Sequence, residues 1–195
     1  MPGLFLINQK MTQILVINAH PDPDKSTAGK AILEAFAKLR PQAEVRNLVE
    51  LITPSGFDVE AEQAALVKAD VIVWQFPFYW YSVPAIMKKW IDDVLTHGFA
   101  YGTGGTALHG KRLLLSFTTG APASEYAHGR SMNWPVEDFL PPLLQTAKLC
   151  GLEPLAPIWS TGMSFIAGVH TDADRERILN EAQCHADRMA AEING

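Results

Sequence analysis

The sequence predicts an α/β domain: a doubly wound, five-stranded parallel sheet in the order 2-1-3-4-5, with helices on both faces. Short β-rich runs alternate with amphipathic helical stretches along the chain. Val71-Ile72-Val73-Trp74-Gln75-Phe76 is almost continuously apolar, as expected of a central parallel strand buried on both faces. No internal repeat, low-complexity tract or linker divides the 195 residues, so one domain is predicted.

The elements follow in order. Gln13 to Asn18 is an apolar strand that ends in the turn-rich Ala19-His20-Pro21-Asp22-Pro23-Asp24-Lys25-Ser26. From Thr27 to Leu39 the polar Lys30, Glu34 and Lys38 recur every four residues, with Ala28, Ile32, Ala35, Phe36 and Leu39 opposite, which specifies an amphipathic helix. Ala43 to Leu48 is a weaker strand and Phe57 to Ala69 a second helix. A third helix starts near Pro84, whose missing N–H suits a first turn. Its Lys88, Lys89, Asp92 and Asp93 face water. Thr96 to Gly110 is a long Gly-rich connection of the kind that is functional or mobile. Leu113 to Thr118 is the fourth strand, and a second long loop runs from Thr119 to about Trp134. Pro141-Pro142 starts or kinks a helix that ends at Cys150, with Gly151 as its cap. Leu155 to Ser160 is the fifth strand. The last helix opens with Thr171 and Asp174 in a capping-box arrangement and ends near Ile193.

Composition narrows the function. A chain of this length buries roughly 70% of its unfolded surface and needs no disulfide or metal to fold. Its two cysteines, Cys150 and Cys184, form no CxxC pair and read as reduced thiols in a cytoplasmic protein. A net charge of −5 and the lack of a Lys/Arg-rich run argue against nucleic acid as a partner. Residues 1–10 read as a flexible N-terminal extension and 11–195 as the folded domain. The extension lacks a basic front end and a cleavage site, and it is too short for a membrane span.

Open α/β sheets bind ligands beyond the carboxyl ends of their strands, here in the crevice between strands one and three. Three segments meet that edge. In the first, Ser26 or Thr27 caps a helix whose unpaired amides favour an anion by about 0.3–2 kcal/mol, and His20 adds a donor. The alternative is an ordinary N-cap. The second is Gln75-Phe76-Pro77-Phe78-Tyr79-Trp80-Tyr81, with five aromatics in seven residues. So many rings on a loop fit a flat apolar ligand or an interface better than a core. Tyr79 has no task assigned by this pattern. The third is Thr118-Thr119-Gly120, followed by Tyr126 and His128, whose backbone and titratable groups could face a heteroatom edge. The alternative there is a Gly-terminated turn. No metal site is predicted. Ala19-His20-Pro21-Asp22 is similar to the metal loop of zinc-dependent sugar deacetylases, but Pro23-Asp24 follows and the metal-binding aspartate is missing.

With these segments in this order, the chain resembles the flavodoxin-like NAD(P)H:quinone oxidoreductases, which include DT-diaphorase and the ancillary proteins of glutathione-gated potassium efflux systems. The motifs are Asn18-Ala19-His20-Pro21, Gln75 to Pro84, Gly98-Phe99-Ala100-Tyr101-Gly102, Ala107-Leu108-His109-Gly110-Lys111 and Thr118-Thr119-Gly120. The stretch Gly104 to Lys111 is nearest to the efflux-ancillary branch. The resemblance implies a flavodoxin-like three-layer sandwich that binds FMN, or FAD. It implies two-electron, ping-pong hydride transfer from NAD(P)H through the flavin to a quinone. His20, Ser26 and Thr27 would hold the flavin phosphate. Pro77, Phe78, Trp80 and Tyr81 would line the ribityl chain and ring, and Thr118, Thr119 and Gly120 the ring's polar edge. Tyr126 and His128 match the pair that stabilises negative charge on the reduced flavin. Phe99 and Tyr101 would reach the substrate side across a homodimer interface. Where relatives often carry Asn, this chain has Gly29. The alternative function is that of a regulatory ancillary subunit of a potassium efflux transporter, peripheral at the inner face of the membrane.

Overall fold

The computed structural model describes residues 11–195, so the extension predicted for residues 1–10 lies outside the described residues. Strands β1 (Ile14–Asn18), β2 (Glu44–Asn47), β3 (Val71–Pro77) and β4 (Arg112–Thr118) lie in the order β2-β1-β3-β4, all parallel. The fifth rank differs from the predicted single strand Leu155 to Ser160. It consists of two short pieces, β5 (Glu153–Pro154) and β6 (Ile158–Ser160), which pair with successive parts of β4. Glu153 and Leu155 donate to Lys111 O and Leu113 O on either side of Pro154, but Pro157, next in that alternation, has no N–H to continue the ladder, and the register with β4 slips by one residue before Ile158.

Alternation along the strands makes three layers. Ile14, Val16, Val71, Val73 and Leu114 face helices α1 (Thr27–Leu39) and α6 (Asp172–Asn194). Leu15, Ile17, Ile72, Trp74, Leu113 and Leu115 face the opposite layer. That layer holds α3 (Val59–Lys68), α4 (Ala85–Val94) and α5 (Pro141–Leu149). The predicted second strand is shorter than expected, because a one-turn helix, α2 (Leu48–Leu51), takes over at its end. The proline pair starts α5 rather than kinking it, and Gly151 follows its end at φ +68°. The Thr171/Asp174 capping box forms in full. The 96–110 connection is anchored: Gly98 donates to Tyr101 O at 2.8 Å, Ala107 to Phe99 O at 3.1 Å, and Ala100 and Leu108 are buried.

Two polar groups inside the layers have dedicated partners. Glu62 of α3 is buried, receives both ends of the Arg46 guanidinium and accepts from Trp90 Nε1 at 2.9 Å, tying β2, α3 and α4 together. On the other face, the alternation turns Gln75 and Ser116 towards α6, where fully buried His185 meets them. Ser116 Oγ donates to Gln75 Oε1 (2.5 Å) and lies 2.8 Å from His185 Nε2, so that nitrogen carries the ring proton and donates. Burial, reinforced by the positive charge of Arg188, lowers the His185 pKa to about 3.

Two outcomes follow for stability. Arg46→Met orphans a buried carboxylate and should lower the unfolding free energy by about 3 kcal/mol, the low end for such pairs because Arg46 is 18% exposed. A urea midpoint unchanged from wild type would contradict this. For His185, the unfolded imidazole takes up a proton near pH 6.5, whereas the folded one resists it until about 3. Stability should therefore fall as pH drops from about 6.5 towards 3, with no contribution from this group above that window. In His185→Gln the slope should be shallower, and urea midpoints that stay parallel to wild type across the window would refute the assignment.

Candidate functional site

Strands β1, β3 and β4 end side by side, and the loops beyond them enclose a cavity of about 360 Å³. That volume is within the ~300–1,000 Å³ typical of small-molecule sites. One wall is the start of α1. Ser26 is the N-cap: its Oγ accepts from the Gly29 amide at 3.1 Å, so its hydroxyl proton remains available to a ligand oxygen. Thr27 is the first helical residue, and the amides of Thr27 and Ala28 belong to the first turn, which a helix cannot pair internally. A Cβ built on Gly29 would lie 2.7 Å from Ser26 Oγ, so a side chain here would require the capping hydroxyl to shift, whereas His20 Cδ2 at 4.0 Å would be an ordinary contact. His20 Nδ1 accepts from the Asp22 amide at 3.0 Å, which leaves the neutral ring an Nε2–H donor. Burial lowers the pKa of His20, against the opposing pull of Asp22.

The second wall is Pro77, Phe78 and Tyr79. Phe78 is buried, tilted against Phe117 at 5.2 Å and edge-on to Phe139 at 5.8 Å. The chain then reverses. Tyr79 and Ser82 exchange both backbone hydrogen bonds at 3.0 Å, and the two residues between them, Trp80 and Tyr81, have φ of +49° and +63°. Two positive φ values in a two-residue turn define type I′, which normally takes Asn-Gly. This turn leaves Tyr79 on the cavity wall, with its ring edge-on to His20 at 6.5 Å, and Trp80 92% exposed on the rim. Tyr81 stacks on Phe139 at 5.1 Å, outside the cavity lining.

Thr118, Thr119 and Gly120 form the third wall, and Met163, Ser164 and Phe165 close the cavity. Thr119 is tied into the scaffold. Its amide donates to Ser160 O (2.9 Å) and its hydroxyl to Ala121 O (2.9 Å), leaving Gly120 as the candidate amide donor.

The predicted residues thus divide into two groups. His20, Ser26, Thr27, Pro77, Phe78, Thr118, Thr119 and Gly120 line the cavity, whereas Trp80, Tyr81, Tyr126, His128, Phe99 and Tyr101 do not. Tyr126 is half-buried; burial raises its pKa, a hydrogen bond with Thr119 lowers it, and Tyr81 adds to the rise. His128 is exposed, with Nδ1 donating to Asn133 O at 2.9 Å and its ring edge-on to Trp134 at 5.0 Å. Phe99 and Tyr101 pack against the α4 side of the core. Sequence reasoning missed Tyr79, the cradle at Gly29 and the 163–165 wall. For Tyr79 the signal was the turn between it and Ser82, but Trp-Tyr is not a recognisable type I′ pair. A larger groove of about 770 Å³ runs between Trp159 and α6, away from the ends of β1 and β3.

A parallel sheet in the order β2-β1-β3-β4 with helices on both faces, and a cavity at the switch point between β1 and β3, is the architecture of a doubly wound α/β protein. The chain belongs to the family described as having a flavodoxin-like fold, whose model matches residues 12–187. It is 49% identical over 183 residues to the glutathione-regulated potassium-efflux system ancillary protein KefF of Salmonella typhimurium, covering 93% of this chain and 98% of that one. KefF of Salmonella dublin is 43% identical over the same shares. Among solved structures, general stress protein 14 from Treponema denticola in complex with FMN superimposes with a TM-score of 0.81 at 32% identity, over 92% of this chain and 98% of that one. An NADPH-quinone reductase from P. pentosaceus gives 0.70 at 28% identity, over 90% and 98%.

The strained turn yields a prediction. A left-handed L residue costs about 1–2 kcal/mol, a penalty that Asn largely escapes, and exposed Trp80 has little packing to lose. Trp80→Asn should therefore raise the unfolding free energy by about 1 kcal/mol in urea titration. A loss of stability instead would mean that the ring contributes more than its backbone costs.

Proposed function

We propose that this chain is a flavin-dependent NAD(P)H:quinone oxidoreductase with FMN in the cavity at the strand ends. The observation that carries this reading is the pairing of a phosphate-ready helix start with a flat apolar wall inside one cavity. The FMN-bound relative at 32% identity and the quinone reductase at 28% support it. FMN rather than FAD is favoured by the FMN complex among the neighbours.

A phosphate monoester at the start of α1 would receive the Thr27 and Ala28 amides, the Ser26 and Thr27 hydroxyls and the His20 Nε2–H, with the helix dipole behind them. Pro77, Phe78 and Tyr79 offer apolar surface to a planar ring, and Gly120 offers an amide to its polar edge. Held by these residues, a flavin would supply two-electron redox chemistry between a nicotinamide and a quinone. Tyr126 and His128 are proposed to stabilise negative charge as it develops, the Tyr126 hydroxyl acting as a hydrogen-bond donor. Exposed Trp80, with Phe99 and Tyr101, is proposed to meet a second subunit and the quinone.

A second reading is favoured by the KefF relatives: the same flavoprotein acts as an ancillary subunit on a cytoplasmic face of a potassium efflux transporter. Among the described residues no helix is long and apolar enough to cross a membrane, so attachment would be through the partner.

Purified protein should be yellow, release FMN on denaturation and be bleached by NADH or NADPH. A colourless protein that takes up neither FMN nor FAD would refute the reading. His128→Ala should slow bleaching by about 10²-fold, a typical share for one charge-stabilising donor, with FMN affinity little changed. An unaltered rate removes that role. Saturable binding to the transporter's cytosolic domain is the expected result for the ancillary reading, and its absence in a flavin-loaded sample refutes it.

A further inference from the structure

Helix α6 does more than cover the sheet. Arg177, Glu181, His185, Arg188 and Glu192 form a stripe about 80° wide at 3.6 residues per turn. Every member has a polar side-chain atom within hydrogen-bond distance of the segment between Ala156 and Gly162, the outermost rank of the sheet. Glu192 accepts from the Ala156 amide at 2.9 Å, and Arg188 donates to Trp159 O at 3.2 Å and to Ser160 Oγ at 2.8 Å. Ser160 Oγ also lies 2.7 Å from Glu181 and 2.9 Å from His185 Nδ1. Arg177 reaches the far end, donating to Gly162 O at 2.8 Å.

This segment controls the cavity. Ser160 O receives the Thr119 amide (2.9 Å), Thr119 O receives the Met163 amide (2.9 Å), and Ala121 O receives the Gly162 amide (2.8 Å). Thr119 and Gly120 on one strand end, and Met163 to Phe165 on the other, are two of the cavity's walls. The side chains on α6 occupy the place of a sixth strand, satisfying an edge that short, proline-interrupted β5 and β6 leave open.

The geometry points to Ser160 and Arg177 as positioning residues: through the α6 stripe they hold the 156–163 segment in register with β4, and this sets the distance between the Thr119–Gly120 and Met163–Phe165 walls around the ligand. Neither residue needs to touch the ligand. The cofactor part of this assignment rests on the flavin reading of the cavity; the register part does not.

The test uses full-length protein without added flavin, followed by FMN titration. In Ser160→Ala and Arg177→Met, the Thr119, Gly162 and Met163 amides should exchange with deuterium roughly tenfold faster, while amides of β1 and β3 keep wild-type rates. FMN should dissociate roughly tenfold more readily in both, and the visible circular dichroism of bound FMN should change. Arg177→Lys, which keeps a donor for Gly162 O, should restore both readouts. Wild-type exchange at the three amides would overturn the assignment, as would acceleration spread evenly over all core amides, which marks a general loss of stability. Local exchange that responds in a protein unable to bind FMN even as wild type would overturn the flavin reading and leave the register role standing.

Discussion

Everything at the functional edge depends on the parallel pairing of β1, β3 and β4, which brings three carboxyl ends to one level. The hydrogen-bond ladder continues past the strands: Ala19 donates to Gln75 O at 2.9 Å, Phe78 to Thr118 O at 2.8 Å, and Thr119 to Ser160 O at 2.9 Å. These bonds carry strand geometry into the first residues of each loop. The aromatic wall at Phe78 and the Thr119–Gly120 turn are therefore held by the sheet itself, while a local turn, with Ser26 N donating to Pro23 O, sets the helix start at Ser26. An antiparallel arrangement would scatter the same loops over two opposite edges.

Within that frame, stability and function pull in different directions. The turn at Trp80 and Tyr81 places two large side chains where Gly or Asn would sit without strain. Its effect is to turn Tyr79 inward and hold Trp80 out over the rim. At Gly29 the reverse choice is made. A glycine within the first turn of α1 gives up helix propensity and spares Ser26 Oγ the 2.7 Å contact that a Cβ would make. The polar interior follows the same logic. Gln75 and Ser116 face the α6 layer because of strand alternation, and His185 satisfies them, linking that layer to the outermost strand through Ser160.

The sequence by itself determined the class of fold, the strand order and the three segments of the site, because those depend on periodicity and on turn residues close together in the chain. Alternation and the apolar run at Val71 to Phe76 identify a central strand whatever surrounds it, and Thr171-Asp174 closes its capping box using local atoms alone. The place of His20, Phe78 and Thr118 to Gly120 on the cavity lining was legible because each lies at or just beyond a strand end, and that of Ser26 because it caps the helix that follows β1. The tertiary structure decided what depends on distant partners. The fifth rank breaks in two where Pro157 withholds a donor from β4, and side chains of α6, far along the chain, bind the backbone of Ala156 and Trp159 around the break. Tyr79 joins the wall while Trp80 and Tyr81 leave it, since a two-residue reversal rather than strand alternation sets their directions. Met163 to Phe165 enter the site only through bonds to Thr119 and Ala121 made across the sheet. Such contacts join residues about forty positions apart, and no local pattern encodes them.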